Sequence, residues 1–391
     1  MAKVVTGIDV GTYNVKVVIA ELESGRSAPR ILGTGYAESR GMRQGYVLSV
    51  PEAARSISAA LNQAARAARV RPKRAYIGIG GLGLEEATSR GEVVVERGDS
   101  EVTARDIPRA VAQARAALPP AAVLNRRVIH EIPLRFFVDG ARVLGRSPVG
   151  LKGARLAVDM LFITALERHM HDLVAAVEEA GVEVDDVIAS PIAASFVVLS
   201  KMQKRVGCVL ANVGSETLSI AVFEDSIPIS VKVFPVGGAD ITNDLALGLR
   251  IIPEEAEQLK HGAILGAPFP KRKIDDIIAR RIADMFKLVE THLKKIHKDE
   301  LLPAGVVITG GSSALTNIAE IAKSSLRLPS RTASAAEALA RTLELRDASW
   351  AVACGLTVWG GGEGASMEVA SAENATTPLS STWRWLKKFL P

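Results

Sequence analysis

The sequence predicts an α/β protein of two similar lobes that face a shared anion-binding cleft. A strand–turn–strand pattern stands at residues 4–22 (VVTGIDVGTYNVKVVIAEL) and again at 208–226 (CVLANVGSETLSIAVFEDS). The copies align on their glycines: Asp9 with Asn212, Gly11 with Gly214, Thr12 with Ser215 and Asn14 with Thr217. A third glycine turn, Gly310-Gly311-Ser312, follows a buried apolar strand, and Gly237-Gly238 bends the chain at the end of another. Such turns array backbone N–H groups around anions, and two hairpins face to face can grip a polyphosphate between them.

Composition sets the bounds. At roughly 100–200 residues per domain, 391 residues suggest two to four units. Apolar residues make up 48% of the chain and aromatics only 4%, so Ala, Val, Leu and Ile carry a core that suits helices laid on sheets. A net charge of +5 with interspersed signs, and no basic stretch interleaved with aromatics, argue against a nucleic-acid partner. Cys208 and Cys354 sit in apolar patterns and read as two buried thiols. The N-terminus runs straight into a strand, with no signal peptide, and no run of about 18 apolar residues occurs. The expectation is a cytoplasmic protein.

Element by element, 4–10 and 14–22 form the first hairpin and 30–39 a third strand. Pro51 opens an Ala-rich helix over 51–68, because proline fits the first turn of a helix. Residues 74–81 are a short strand ending in glycines. Residues 84–163 read as an inserted α+β module. It holds a strand in VVVERG, a helix in VTARDIPRAVAQARAAL with Thr103 as N-cap and Asp106 at N3, and strands in RRVIHEIPLRFFVDG and ARLAVDMLFITAL. A helix over 166–180 and a strand over 184–190 resume the first pattern, and 192–205 reads as one helix crossing into the second half. After the second hairpin, 227–238 repeats the third strand, 239–249 and 254–264 are helices, and charged helices fill 271–298. Residues 305–315 are a buried strand, a glycine turn and a helix start, and 349–361 is the last helix of the body. His169 and His171 read as a surface pair, His130 as a strand residue, and no Ser-His-Asp or Cys-His set can be assembled.

The motifs GIDVGT, FPVGGADITNDLALGL, AEQLKHG and VVITGGSSAL, with the inserted module around HEIPLRFFVDG and SPVGLKGARL, resemble the FtsA family of actin-like bacterial cell-division proteins. That family lies within the actin, sugar-kinase and DnaK-type superfamily, and the resemblance covers essentially the whole chain. It implies an actin-like (ribonuclease H-like) two-lobed ATPase fold. Residues 1–83, 164–191 and 336–361 would form the first large subdomain, 84–163 the inserted one, 192–239 and 305–335 the second large one, and 240–304 a small one. It also implies ATP and Mg²⁺ as ligands. Gly11, Thr12, Tyr13 and Asn14 would line one side of the phosphates and Gly214, Ser215, Glu216 and Thr217 the other. Asp9 would hold Mg²⁺ through water, as a hard cation on phosphates usually keeps several waters. Gly237 and Gly238 would approach the phosphates or ribose, Glu257 and Lys260 the ribose and base, and Gly310, Gly311 and Ser312 would cover the adenosine. On spacing alone, Glu257 and Lys260 are equally a solvated helical pair.

Two residues depart from the family pattern. Asn212 stands where the second loop normally begins with Asp, and Glu216 where it carries glycine. A carboxylate facing polyphosphate costs on the order of a kcal/mol or more at a few ångströms. Nucleotide binding is therefore expected to be retained or weakened, and hydrolysis to be slow or absent.

Residues 360–381 are Gly-, Ser-, Thr-, Ala- and Glu-rich without periodicity and read as a flexible linker with a reach of roughly 25 Å. STWRWLKKFLP follows. At about 100° per residue, Trp383, Trp385, Leu386, Phe389 and Leu390 fall within an arc of roughly 160°, with Arg384, Lys387 and Lys388 opposite. A short, cationic, aromatic-rich amphipathic helix over 382–391 suits the lipid interface, its cations drawn to anionic lipid. The resemblance completes this reading: actin-like filaments of the chain would anchor FtsZ filaments to the inner face of the cytoplasmic membrane at the division site, alongside other division proteins. The FtsZ contact would map roughly to 240–304. The alternatives are a PilM-like pilus-assembly adaptor, which would not need this linker and foot, and a sugar-kinase-type phosphotransferase, which would need a catalytic carboxylate at a substrate cleft.

Overall fold

The computed structural model describes residues 3–22, 29–96, 98, 100–145, 147–262, 269–333 and 347–363. Most of the expected linker and the whole amphipathic segment, including Trp383, Arg384, Trp385, Leu386, Lys387, Lys388, Phe389 and Leu390, lie outside these residues. Among the described residues no helix is long and apolar enough to cross a membrane.

The chain opens with strands β1 (Lys3–Val10), β2 (Asn14–Leu22) and β3 (Arg30–Glu38), an antiparallel meander. A two-stranded ribbon follows, β4 (Met42–Arg43) and β5 (Tyr46–Val47), then helix α1 (Val50–Ala68) and strand β6 (Arg74–Ile79). The inserted module comprises β7 (Leu84–Val94), α2 (Asp106–Ala116), α3 (Pro120–Val123), β8 (Arg126–Val138), β9 (Ala141–Arg142) and β10 (Arg155–Leu166). Its antiparallel sheet, in the order β7-β10-β8-β9, is backed by α2 over a separate small core. Then come α4 (Glu167–Glu179), β11 (Glu183–Ala189) and the crossing helices α5 (Ser190–Val198) and α6 (Lys201–Val206).

The second half repeats the first. It runs through β12 (Cys208–Val213), β13 (Leu218–Glu224), β14 (Ile227–Phe234), α7 (Gly238–Leu249), α8 (Pro253–Lys260) and α9 (Lys271–Lys295). It ends with β15 (Val306–Thr309), α10 (Ile318–Leu326), β16 (Ser330–Thr332) and α11 (Ala351–Glu363). The two large sheets have the same order, β3-β2-β1-β6-β11 and β14-β13-β12-β15-β16. In each, an antiparallel meander continues into parallel strands at the matching position. The duplication read in two hairpins thus extends to whole sheets.

The crossing helix explains how the lobes are joined. Ile192, Ala193, Ala194, Val197 and Val198 of α5 are all buried, and the helix joins one face of the second half's sheet to the core of the first half, while the other face packs a core of its own. Gly355 of α11 permits the contact: a Cβ there would stand 1.8 Å from the Ala193 carbonyl oxygen. Gly360 and Gly361 also belong to α11. A Cβ on Gly360 would meet the Tyr76 ring at 2.5 Å, so these glycines serve close packing at the end of the last helix, within its expected bounds of 349–361.

Four expectations are corrected. The crossing segment is two helices, because Ser200 accepts the Gln203 amide (3.1 Å) while Gln203 caps the Ser200 amide (2.9 Å), a capping box that starts a new helix. The inserted helix starts at Asp106, whose carboxylate takes both the amide (2.8 Å) and hydroxyl (2.7 Å) of Thr103 in the turn before it. The glycine turn after β15 leads into a short 3₁₀ turn, Gly311–Ala314, before α10. His169 and His171 are not a surface pair, since residues two apart face different sides of a helix. His169 is 4% exposed, edge-on to Tyr46 with ring centroids 5.0 Å apart, while exposed His171 lies by Asp172. His130 is a buried residue of β8, and both cysteines are buried free thiols.

Alanine favours a helix over glycine by about 1 kcal/mol, yet Gly355→Ala should lower stability by roughly 1–3 kcal/mol through overpacking. The check is the urea unfolding midpoint. A rise, as propensity alone demands, would contradict the α5–α11 contact.

Candidate functional site

The two hairpin turns are built alike. The Gly11 amide donates to the Asn14 carbonyl at 3.2 Å, and the Gly214 amide to the Thr217 carbonyl at 2.9 Å. A side chain at either glycine would press on that closure: a Cβ at Gly11 would lie 2.8 Å from the Asn14 carbonyl oxygen. Among the described residues the amides of Thr12, Tyr13, Ser215 and Glu216 donate to nothing within the protein. Unpaired N–H groups in a tight turn are the donors an anion needs. Both turns open on a single cavity of about 1020 Å³.

Most of the residues singled out in the sequence meet at this cavity. Asp9, Gly11, Thr12, Tyr13 and Asn14 line it from the first lobe. Gly214, Ser215, Thr217, Gly238, Glu257, Lys260, Gly310, Gly311 and Ser312 line it from the second. Gly237 stands behind the second turn, where a Cβ would lie 2.3 Å from the Ser215 carbonyl oxygen, and its amide goes to Asp240 at 2.8 Å. Gly310 has a φ of +93°, and a Cβ on it would strike the Asn212 side chain at 2.4 Å; only glycine fits. Helix α7 docks its first amides onto the second turn, Gly238 to the Gly214 carbonyl (2.9 Å) and Ala239 to that of Ser215 (2.7 Å).

Glu257 and Lys260 are not a solvated pair. The Lys260 side chain is 5% exposed, and its ammonium donates to Glu257 (2.6 Å), Thr242 (2.9 Å) and the Gly238 carbonyl (3.2 Å), using all three protons. Burial opposes the Glu257 charge, but hydrogen bonds from Lys260 and Thr242 outweigh it and hold the carboxyl below its usual pKa. The pair knits α8 to the start of α7.

Glu216 behaves differently from its expected role. Its carboxylate does not line the cavity; it accepts the backbone N–H of Gln44, at the tip of the β4–β5 ribbon in the other lobe. The adjacent Gly45 amide donates to Thr12 Oγ1 at 3.1 Å. Gly45, Gly80, Gly81, Lys16, Ser190 and the segment Asp347–Val352 also line the cavity and were missed. Gly80 and Gly81 were visible as a glycine strand end, but nothing local marked the others.

The metal side is asymmetric. Asp9 pairs in register with Lys16, and Asn212 with Ser219 at the matching place in the second hairpin. Burial pushes the Asp9 carboxyl up to about 6, against the attraction of Lys16. A buried carboxyl whose charge burial opposes suits an added cation, whereas Asn212 brings no charge. Among the described residues no three His, Cys, Asp or Glu side chains gather at one point.

Two duplicated lobes whose glycine turns face one cavity define an actin-like two-lobed protein. Comparisons with known proteins agree. Residues 209–355 match the family model "Cell division protein FtsA", and 83–164 match "SHS2 domain inserted in FTSA". The chain is 30% identical to the cell division protein FtsA of Bacillus subtilis, over 84% of this chain and 78% of that one. It is 27% identical to the FtsA of Pseudomonas aeruginosa, over 99% and 97% respectively. Among solved structures, a PilM-PilN type IV pilus biogenesis complex superposes with a TM-score of 0.68 at 18% identity, covering 91% of this chain and 98% of that one. MreB5 of Spiroplasma citri bound to ADP gives 0.55 at 11% identity, over 94% and 99%. These two likenesses concern the fold. The chain belongs to the FtsA family of cell division proteins.

Asp9 gives a pH test of the protein without ligands. With a folded pKa near 6 and an ordinary value of 3.8, the folded state binds more protons than the unfolded between those values, so this group's contribution falls as pH rises from about 4 to 6. Asp9→Asn removes that cost. It should stabilise the protein by about 3 kcal/mol at pH 7.5, with the gain fading below about pH 4. Urea unfolding at both pH values measures it, and a loss of stability at pH 7.5 would contradict the burial argument.

Proposed function

We propose that the cavity binds ATP with Mg²⁺, its phosphates held between the two turns, and that the protein works as a membrane-tethered filament former that anchors FtsZ. The observation that carries this reading is the pair of unpaired amide turns on one cavity in a chain of the FtsA family. The ADP bound to MreB5, a protein of the same fold, supports the choice of a nucleotide.

In this reading Gly11, Thr12, Tyr13 and Asn14 hold the phosphates from one lobe, and Gly214, Ser215 and Thr217 from the other. Gly238 backs the ribose side. Glu257 acts toward ribose and base while Lys260, its protons already engaged, fixes its position. Gly310, Gly311 and Ser312 cover the adenosine. Asp9 would hold Mg²⁺, which when bound would supply positive charge against the phosphates. Lys16, beside Asp9 on the same wall, adds a cation. Asn212 leaves the second lobe without a matching carboxylate, so turnover is slow or absent. The subdomain division given by the resemblance stands as part of the proposal, with 240–304 as the FtsZ-facing small subdomain.

The amphipathic segment 382–391 supplies the membrane foot. One short helix binds weakly, and filament copies add avidity. ATP- and FtsZ-dependent co-sedimentation with vesicles containing anionic lipid tests the whole. The intact chain should carry FtsZ down with the lipid, and a chain lacking 382–391 should leave both in solution. Equal recovery of FtsZ without the segment would end the tether reading, and no heat of Mg·ATP binding in calorimetry would end the nucleotide reading.

A further inference from the structure

The ribbon β4–β5 forms a strap whose tip residue Gly45 lines the cavity. Its tip, Gln44-Gly45, has φ of +49° and +80°, the two-residue turn that matches strand twist. It is fixed to the first lobe on three sides. The Gly45 amide bonds Thr12 Oγ1 of the first turn (3.1 Å). Gly45 lies flat on Gly81, where a Cβ would come within 2.4 Å of the Gly81 Cα. The next residue, Tyr46, packs on buried His169. Gln44 holds a left-handed conformation uncommon for a residue with a side chain. Its N–H is turned onto the Glu216 carboxylate of the second turn. The strap therefore touches both turns at once, through two neighbouring amides.

We propose that Glu216 is a latch: it ties the second turn to the strap and keeps the cleft closed over its phosphate end, so that it sets the rate at which nucleotide enters and leaves. This rests on the nucleotide reading above and concerns the regulation of that site. It also reverses the expectation drawn from charge alone. If Glu216 acted by repelling phosphate, removing it would slow release and tighten binding. A latch gives the opposite: without it the lobes part more often, and both entry and release quicken.

Two measurements on the full chain separate the possibilities. The first is hydrogen exchange without nucleotide, comparing the unaltered protein with Glu216→Gly and Glu216→Gln. Loss of a charge-assisted bond should speed exchange in 42–47 at least about ten-fold in the glycine variant. The glutamine variant, which keeps a neutral acceptor, should fall between, and exchange in the buried helix over 53–61 should not change. The second is release of an N-methylanthraniloyl ATP analogue chased with ATP in stopped flow, where Glu216→Gly should release at least about ten-fold faster. Unchanged exchange at 42–47 overturns the latch, and so does release that is unchanged or slower. If the analogue does not bind the unaltered protein, the nucleotide reading fails, and the exchange result still decides whether the two lobes are tied here.

Discussion

A backbone amide can face an anion only if the chain on both sides of it is held rigidly and its neighbours leave room. The cleft is organised around that constraint, met twice. Strands β1 and β12 run through the middle of their sheets and end in the same turn, closed by the same hydrogen bond from a glycine amide. The crowding around them is relieved by glycines: Gly81 beneath the strap, Gly237 behind the second turn, and Gly310 against Asn212. A methyl group at any of these would push a turn or its support out of line, so the geometry of the donors is fixed mostly by where side chains are absent.

Equal backbones carry unequal charges. The first lobe sets a buried acid, Asp9, beside Lys16, while the second has the neutral Asn212 and Ser219 at the matching places. The acid of the second turn, Glu216, is spent on a peptide N–H across the cleft. Two further charged groups at the cavity, Glu257 and Lys260, neutralise one another while bracing α7. In the proposed nucleotide reading, a site with one metal-side carboxylate and a tied mouth would hold a nucleotide rather than turn it over. The inserted module is tied in too: Glu86 of β7 accepts the Val231 amide (2.6 Å) and the Ser230 hydroxyl (2.9 Å), and Ser230 meets the buried His292 of α9 at 2.8 Å.

What could be read from the sequence follows from range. The twin turns were legible because an apolar run, a glycine and a polar cap lie within ten residues of one another. Their duplication then implied the two lobes and the cavity, and GIDVGT and VVITGGSSAL carried the family. The latch was hidden because Gln44 and Glu216 lie 172 residues apart, and a lone acid in a phosphate turn looks like a defect until its partner is seen. The Glu86 tie to Val231 spans 145 residues and was equally silent. Other misses were local: the Ser200–Gln203 capping box that breaks the crossing helix was present in the sequence, as was the two-residue offset that separates His169 from His171. Gly360 and Gly361 were read both as the end of the last helix and as the start of a linker, because composition cannot tell a flexible glycine from one pressed on an aromatic ring.

The central claim is that both turns hold the same ligand. Amide chemical shifts of the isotopically labelled protein, followed as Mg²⁺ and a non-hydrolysable ATP analogue are added, test it most directly. The account predicts that the amides of Gly11 and Thr12 in one lobe and of Gly214 and Ser215 in the other move together, with one shared midpoint. Shifts confined to a single turn, or two turns titrating at different concentrations, would contradict it.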